Sequence, residues 1–220
     1  MVKLAASVLR ADPLRLGEAV EAARDNEVPI LHIDVMDGRF GHHIAFGPDT
    51  VAAMRPLFPG FFDLHLIVME PERHLERFAA AGANGMTVHL ESTLQHHRHL
   101  PTIRALGCRA GLAINAGTPL EAASELLRLE AVDTLLLMSV NPGYPEPGFL
   151  EAIVRKIDLA RSWREHHGWT YEIAVDGGID ATNASAVASA GVDVIVSGRG
   201  LYGGPSFAER AAALRHAVAS

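Results

Sequence analysis

Lysine is almost missing from this chain: only Lys3 and Lys156 occur, one near the start and one in a stretch that reads as helix. Schiff-base chemistry needs a lysine at the reacting carbon, so that class of enzyme recedes. Cysteine is scarcer still. Cys108 stands alone, so no internal disulfide forms, and no neighbouring group marks it as reactive. No apolar run approaches the roughly 20 residues that span a bilayer. The start, Met1-Val2-Lys3-Leu4, lacks the cationic, apolar and cleavage segments of a secretion signal. Excess positive charge is missing too, because the formal net charge is -7, which argues against a general nucleic-acid surface. These absences lead us to expect a cytoplasmic protein with neither a membrane nor a nucleic acid as partner.

No linker, low-complexity tract or charge block divides the 220 residues, so one domain over 1–220 is expected, long enough for a barrel. Short apolar runs at 4–8, 30–36, 61–67, 85–90, 109–114, 133–139, 171–176 and 192–197 read as strands. Longer amphipathic stretches near 13–26, 48–57, 71–82, 95–106, 119–129, 148–167, 181–190 and 205–218 read as helices. Asp12-Pro13, Glu70-Pro71, Thr118-Pro119 and Gly204-Pro205 put a proline near a first turn. Eight βα units with near-continuously apolar strands predict an α/β fold: a single (β/α)8 TIM barrel, with its active site at the C-terminal ends of the strands. An open doubly wound sheet is the competing arrangement.

Histidine is plentiful, with 12 residues. His96, His97, His99, His166 and His167 sit in polar stretches and read as surface, joined by no familiar metal spacing. The strand Ile30-Leu31-His32-Ile33-Asp34-Val35-Met36-Asp37-Gly38 is different. Alternation puts His32, Asp34 and Met36 on one face and Ile33 and Val35 on the other. His32 and Asp34 are placed either to grip a divalent cation or to form a buried hydrogen-bonded pair. Matching pieces recur at strand ends, in Asp63-Leu64-His65-Leu66 and Val175-Asp176-Gly177-Gly178. In a barrel, His32, Asp34, His65 and Asp176 converge on one axial spot, and four such ligands leave coordination positions open for a substrate. Asp63 lies deeper on His65's face, as a partner to a ligand or as a locally satisfied polar group. Gly177-Gly178 and Ser197-Gly198-Arg199-Gly200 follow strands seven and eight, where this fold commonly holds phosphate; two ordinary glycine turns are the alternative.

Five motifs in order resemble the ribulose-phosphate 3-epimerase family across essentially the whole chain: Ser7-Val8-Leu9 with Ala11-Asp12, His32 to Gly38, Asp63 to Leu66, Met138-Ser139-Val140-Asn141-Pro142-Gly143, and Val175 to Ile179. The resemblance implies one divalent metal ion (Zn, Fe, Mn or Co) on His32, Asp34, His65 and Asp176. It makes Asp34 and Asp176 the catalytic pair, exchanging a proton at C3 of a ketose phosphate through a metal-stabilised enediolate, with inversion. Substrate contacts fall to Ser7, His65, Gly143, Tyr144, Gly177, Gly178, Gly198 and Arg199, with Met36 and Met138 in an apolar collar or simply filling the core. Members of this family commonly assemble as dimers or hexamers, so a homo-oligomer is expected.

The chain departs from the family pattern in the substrate shell. Pro145 and Glu146 replace two flexible donors in the loop after strand six, and Pro147 also lacks an N–H, which puts that loop's anion contact in question. Arg199 stands where a small residue is common, and it serves as a two-pronged phosphate ligand or a surface ion pair. Gly41-His42-His43 alters the loop after strand two, and Ile67 replaces a frequent methionine. The stretch from Trp163 to Ile173 resembles the allulose-6-phosphate branch of the family. An intact core with an altered substrate shell points to a ketose phosphate related to ribulose 5-phosphate and xylulose 5-phosphate, with that pair itself left open. A non-catalytic sugar-phosphate sensor is the alternative from another class. A decarboxylase-type barrel is disfavoured, since strand two carries no lysine.

Overall fold

The computed structural model describes residues 2–144 and 148–219. Its strands are β1 (Lys3–Ser7), β2 (Ile30–Met36), β3 (Phe61–Ile67), β4 (Gly85–His89), β5 (Arg109–Ile114), β6 (Thr134–Met138), β7 (Glu172–Asp176) and β8 (Val194–Ser197). Each pairs in parallel with its sequence neighbour, and β1 pairs with β8. That last pairing closes the sheet and rules out the open doubly wound arrangement. The fold is a single (β/α)8 TIM barrel.

The strands are predominantly apolar because both faces are covered. Outward-pointing Leu31, Ile33, Val35, Leu64 and Leu66 pack under the helices in one cluster. Inward-pointing Ala5, Ile30, Leu136, Ala174, Val194 and Val196 form a second, narrower cluster in the lumen. The lumen is tight enough to demand glycine. A Cβ on Gly111 would lie 2.1 Å from Thr87 Oγ1, well inside van der Waals contact. At the N-terminal end, Glu172 pairs with Lys3 and Arg109, so its part-buried carboxylate is compensated.

The expected helices form, with shifted starts. The segments expected as first turns at Pro13–Arg15, Pro71–Arg73 and Leu120–Ala123 are 3-10 helix rather than α-helix. A proline at or just before such a turn removes an amide donor and favours this tighter, shorter entry. The helix expected from 148 begins at Ala152 and runs to His167. A short helix, Arg199–Tyr202, was not expected at all. The surface assignment of His96 and His99 is corrected: they are 6% and 3% exposed. Spacing explains it, since His96, His99, Leu100 and Ile103 share the inward stripe of the helix His96–Ala105. His96 Nε2 also meets the Leu90 carbonyl at 2.9 Å. His97, His166 and His167 are exposed as expected. Among the described residues, no helix is long and apolar enough to cross a membrane.

Candidate active site

Strand register assembles the centre. Asp34 on β2 lies opposite His65 on β3, Ser7 on β1 opposite His32, and Met138 on β6 opposite Asp176 on β7. All these side chains point inward near the C-terminal end of the barrel. One donor atom each from His32, Asp34, His65 and Asp176 lie within 4.8 Å of one another. The two histidines are fully buried, and the Asp34 side chain is 4% exposed.

The arrangement around each imidazole is specific. His32 Nδ1 lies 2.8 Å from Asp63 Oδ2, so Asp63 is the partner of a candidate ligand rather than a locally satisfied group. That contact turns His32 Nε2 toward Asp34 and Asp176, whose oxygens lie 3.4 and 3.9 Å away. His32 Nε2 is nevertheless buried without a hydrogen-bond partner among the described residues. An orphaned ring nitrogen between two carboxylates is the environment a divalent cation satisfies, and the nitrogen–oxygen donor set suits zinc, iron, manganese or cobalt. His65 Nδ1 lies 3.1 Å from Asp34 Oδ1 and 3.7 Å from Asp176 Oδ2. Ser7 Oγ donates to Asp34 Oδ2 at 2.8 Å.

The electrostatics agree. Burial opposes charge on His32, yet Asp34 and Asp63 outweigh it and hold the imidazole well above its ordinary pKa. Burial likewise opposes charge on His65, and Asp176 and Asp34 raise it. Burial works against the Asp34 carboxylate too, but His32 and His65 keep it far below the usual range. The cluster draws positive charge inward, as protons or as a cation.

Above this floor opens a cavity of about 460 Å³, within the usual small-molecule range of about 300–1,000 Å³. Ser7, Asp34, Asp176, Gly143, Tyr144, Gly177, Gly178, Gly198 and Arg199 line it, as do Met36, Ile67 and Met138 of the collar. His65, also expected to touch substrate, is fully buried and lies below the lining; the structure brings it to the cluster instead. Gly177 and Gly178 have φ of +120° and +66°. A Cβ on Gly177 would meet the Val140 amide nitrogen at 2.9 Å, so only glycine permits this turn. Gly143 approaches the altered loop closely, its missing Cβ 3.1 Å from Gly41 Cα, and the Tyr144 ring lies edge-on to His42. His43 reaches the cavity. The departures at Pro145, Glu146 and Pro147 lie outside the described residues.

Three residues escaped the sequence reading. Arg10 lines the cavity, its Cγ only 2.6 Å from where a Gly198 Cβ would lie. The others are His89, fully buried at the end of β4, and Glu91 just beyond it. Burial pushes the His89 imidazole down to about 4. Burial opposes charge on Glu91, but contacts with His89, Thr118 and the Asn115 amide hold it at about 2. Val88-His89-Leu90-Glu91 carries the same signal as Asp63-Leu64-His65, polar groups alternating at the end of an apolar strand.

Residues 3–202 match the profile of the ribulose-phosphate 3 epimerase family. The chain is 39% identical over 217 residues to the ribulose-phosphate 3-epimerase of Synechocystis sp., covering 98% of this chain and 94% of that one. Identity is 35% over 204 residues to the enzyme of the same name from Bacillus subtilis, covering 92% and 93%. Among solved structures, 3-hexulose-6-phosphate synthase from Salmonella typhimurium superposes with a TM-score of 0.75 at 19% identity, covering 99% of both chains. KGPDC from Streptococcus mutans gives 0.77 at 15%, covering 99% and 97%. Those two likenesses are of fold alone. Matching motifs, profile and relatives along nearly its whole length, the chain belongs to the ribulose-phosphate 3-epimerase family.

Proposed function

We propose that the cluster at the cavity floor carries out 3-epimerisation of a ketose phosphate, with Asp34 and Asp176 as the two proton-transfer groups. The chain is an isomerase of the ketose-phosphate 3-epimerase kind. The observation that carries the residue assignment is the convergence of two imidazoles and two carboxylates, with β2 and β7 each contributing one carboxylate to the cavity. His32, Asp34, His65 and Asp176 would hold a divalent ion, which would supply Lewis acidity for negative charge on the sugar oxygens. One aspartate accepts that proton from its side of the sugar, and the other, protonated, returns one from the opposite side. Configuration at C3 inverts. Ser7 holds Asp34 in place through its 2.8 Å hydrogen bond. Met36, Ile67 and Met138 keep water from the reacting carbon.

The phosphate falls to the other end of the cavity, at Gly177, Gly178, Gly198 and Arg199, with Gly143 and Tyr144 at the wall. Arg199 and Arg10 both line the cavity, and neither guanidinium has a carboxylate partner among the described residues. Two guanidinium groups with no carboxylate partner among the described residues, beside three glycines, suit a phosphate dianion. The relatives are named for ribulose phosphate, which supports ribulose 5-phosphate and xylulose 5-phosphate as the first pair to test. A single 220-residue domain, a cytoplasmic setting, and a dimer or hexamer complete the reading.

The test is solvent-deuterium exchange on the metal-loaded protein, with ribulose 5-phosphate, allulose 6-phosphate and a four-carbon ketose phosphate in parallel. Deuterium at C3 with formation of the epimer, both lost on chelation, is the expected result for one of them. Stoichiometric metal with no exchange into any sugar would defeat the assignment and favour a sugar-phosphate sensor.

A further inference from the structure

A line of hydrogen bonds runs from the cluster across β4 to the segment after β5, and no step of the epimerisation uses it. His65 Nε2, the nitrogen facing away from the cluster, lies 2.9 Å from His89 Nε2. The two rings are inclined at 24° with centroids 4.9 Å apart. The other nitrogen of His89, Nδ1, lies 3.2 Å from Glu91 Oε2. Glu91 Oε1 accepts from the Asn115 amide at 2.9 Å and from the Thr118 hydroxyl. Lys156 Nζ in turn donates to the carbonyls of Asn115, Ala116 and Thr118, at 3.1, 2.8 and 2.6 Å, which pins the loop presenting those donors.

With His65 neutral, as a metal ligand must be, this line permits one proton arrangement. An ionised carboxylate only accepts, so His89 must carry its proton on Nδ1. His89 Nε2 is then a lone pair and can only accept, so His65 must carry its proton on Nε2. That leaves His65 Nδ1, 3.1 Å from Asp34 Oδ1, as the atom that carries either a second proton or the cation toward Asp34 and Asp176. We propose that His89 and Glu91 are positioning residues that hold His65 in this tautomer and thereby set the cluster's affinity for a divalent cation. The proposal rests on reading the cluster as a cation site. It gives His65 a two-residue support, where His32 has the single carboxylate of Asp63.

The geometry makes Glu91→Gln informative. The Asn115 amide and Thr118 hydroxyl fix an acceptor on their side of residue 91. The amide oxygen of glutamine turns to them, and its NH2 group faces His89. His89 must then accept at Nδ1 and donate from Nε2, which pushes the His65 proton onto Nδ1, the wrong nitrogen for a ligand.

The experiment measures zinc affinity by chelator competition in the wild type, E91Q, H89F and the H89F/E91Q double variant, with Tm recorded for each. Nitrogen-15 spectra of the imidazoles in the zinc-loaded proteins report the tautomer of His65. The expected result is zinc binding weakened about 10–100-fold in E91Q and in H89F. The double variant should be no weaker than the poorer single one, because Glu91 acts only through His89. Wild-type zinc binding with E91Q within threefold of it overturns the proposal alone. No zinc on the wild type, or zinc retained in H32A at full affinity, overturns the cluster reading and this proposal with it. If H89F fails to fold, E91Q and its spectra still decide the matter.

Discussion

Replacing Asp176 with asparagine removes one proton-transfer group while keeping its shape. The main chain there does not depend on the carboxyl: the Asp176 carbonyl accepts from the Ser139 amide at 2.7 Å and from its hydroxyl at 2.9 Å. The Asp176 side chain is 15% exposed, against 4% for Asp34, so it is the more open of the pair toward the cavity. Its oxygen lies 3.7 Å from His65 and 3.9 Å from His32, close enough for an asparagine carbonyl to remain a weak ligand. A positioned acid or base contributes about 10²–10⁴ to rate, or roughly 3–5 kcal/mol of barrier. Epimerisation by D176N should fall by at least about a hundredfold on that basis. Asp34 should still exchange the C3 proton of whichever epimer presents it to β2. The assay is proton NMR in deuterium oxide, run from each epimer separately, with metal content and Tm as controls. Exchange into one epimer without inversion is the signature of two opposed groups. Epimerisation within tenfold of wild type would refute the assignment.

Two further perturbations separate the substrate shell from the barrel. Arg10→Ala and Arg199→Ala should each raise KM for the sugar phosphate about tenfold and weaken inhibition by inorganic phosphate similarly, leaving kcat within about twofold. That expectation takes the low end of a charge-assisted contact because both side chains are exposed; an unchanged KM in both would remove the arginines from the phosphate site. Acid should weaken the fold through Asp133 and Glu172. Burial opposes both charges, but Arg104 and the Ala110 amide lower Asp133, and Lys3 and Arg109 lower Glu172. A folded pKa below the unfolded one means the stabilisation is present above about pH 4, the unfolded carboxylate range, and is lost as pH falls through the folded values. Tm should therefore be level above about pH 5 and drop below pH 4, with a shallower drop in R104A; a Tm that rose on acidification would contradict it.

Much of the barrel was legible because strand periodicity is local. Strands expected at 30–36, 61–67 and 109–114 occur at those residues, since a run covered on both faces is predominantly apolar and short. Helix starts were less legible. A proline marks an entry but does not say whether the first turn is α or 3-10, which depends on how the loop leaves the strand. His96 and His99 were misread because a polar composition hid an inward stripe whose burial needs the barrel behind it. Arg10 went unnoticed because only the closed β1–β8 seam brings it over Gly198.

The sequence by itself determined which residues share a strand face and which strand ends carry polar groups. Alternation along an extended chain permits no other assignment for His32, Asp34 and Met36, or for Asp63 and His65. Only the tertiary structure decided their partners. Register set Asp34 beside His65, and barrel closure brought Asp176 from β7 to within 3.9 Å of His32 on β2. Folding also aimed His89 at the back of His65, joining residues 24 apart in the chain through a contact of 2.9 Å. Such contacts depend on how far each strand is staggered against the next, and stagger is a property of the packed sheet that no single strand encodes.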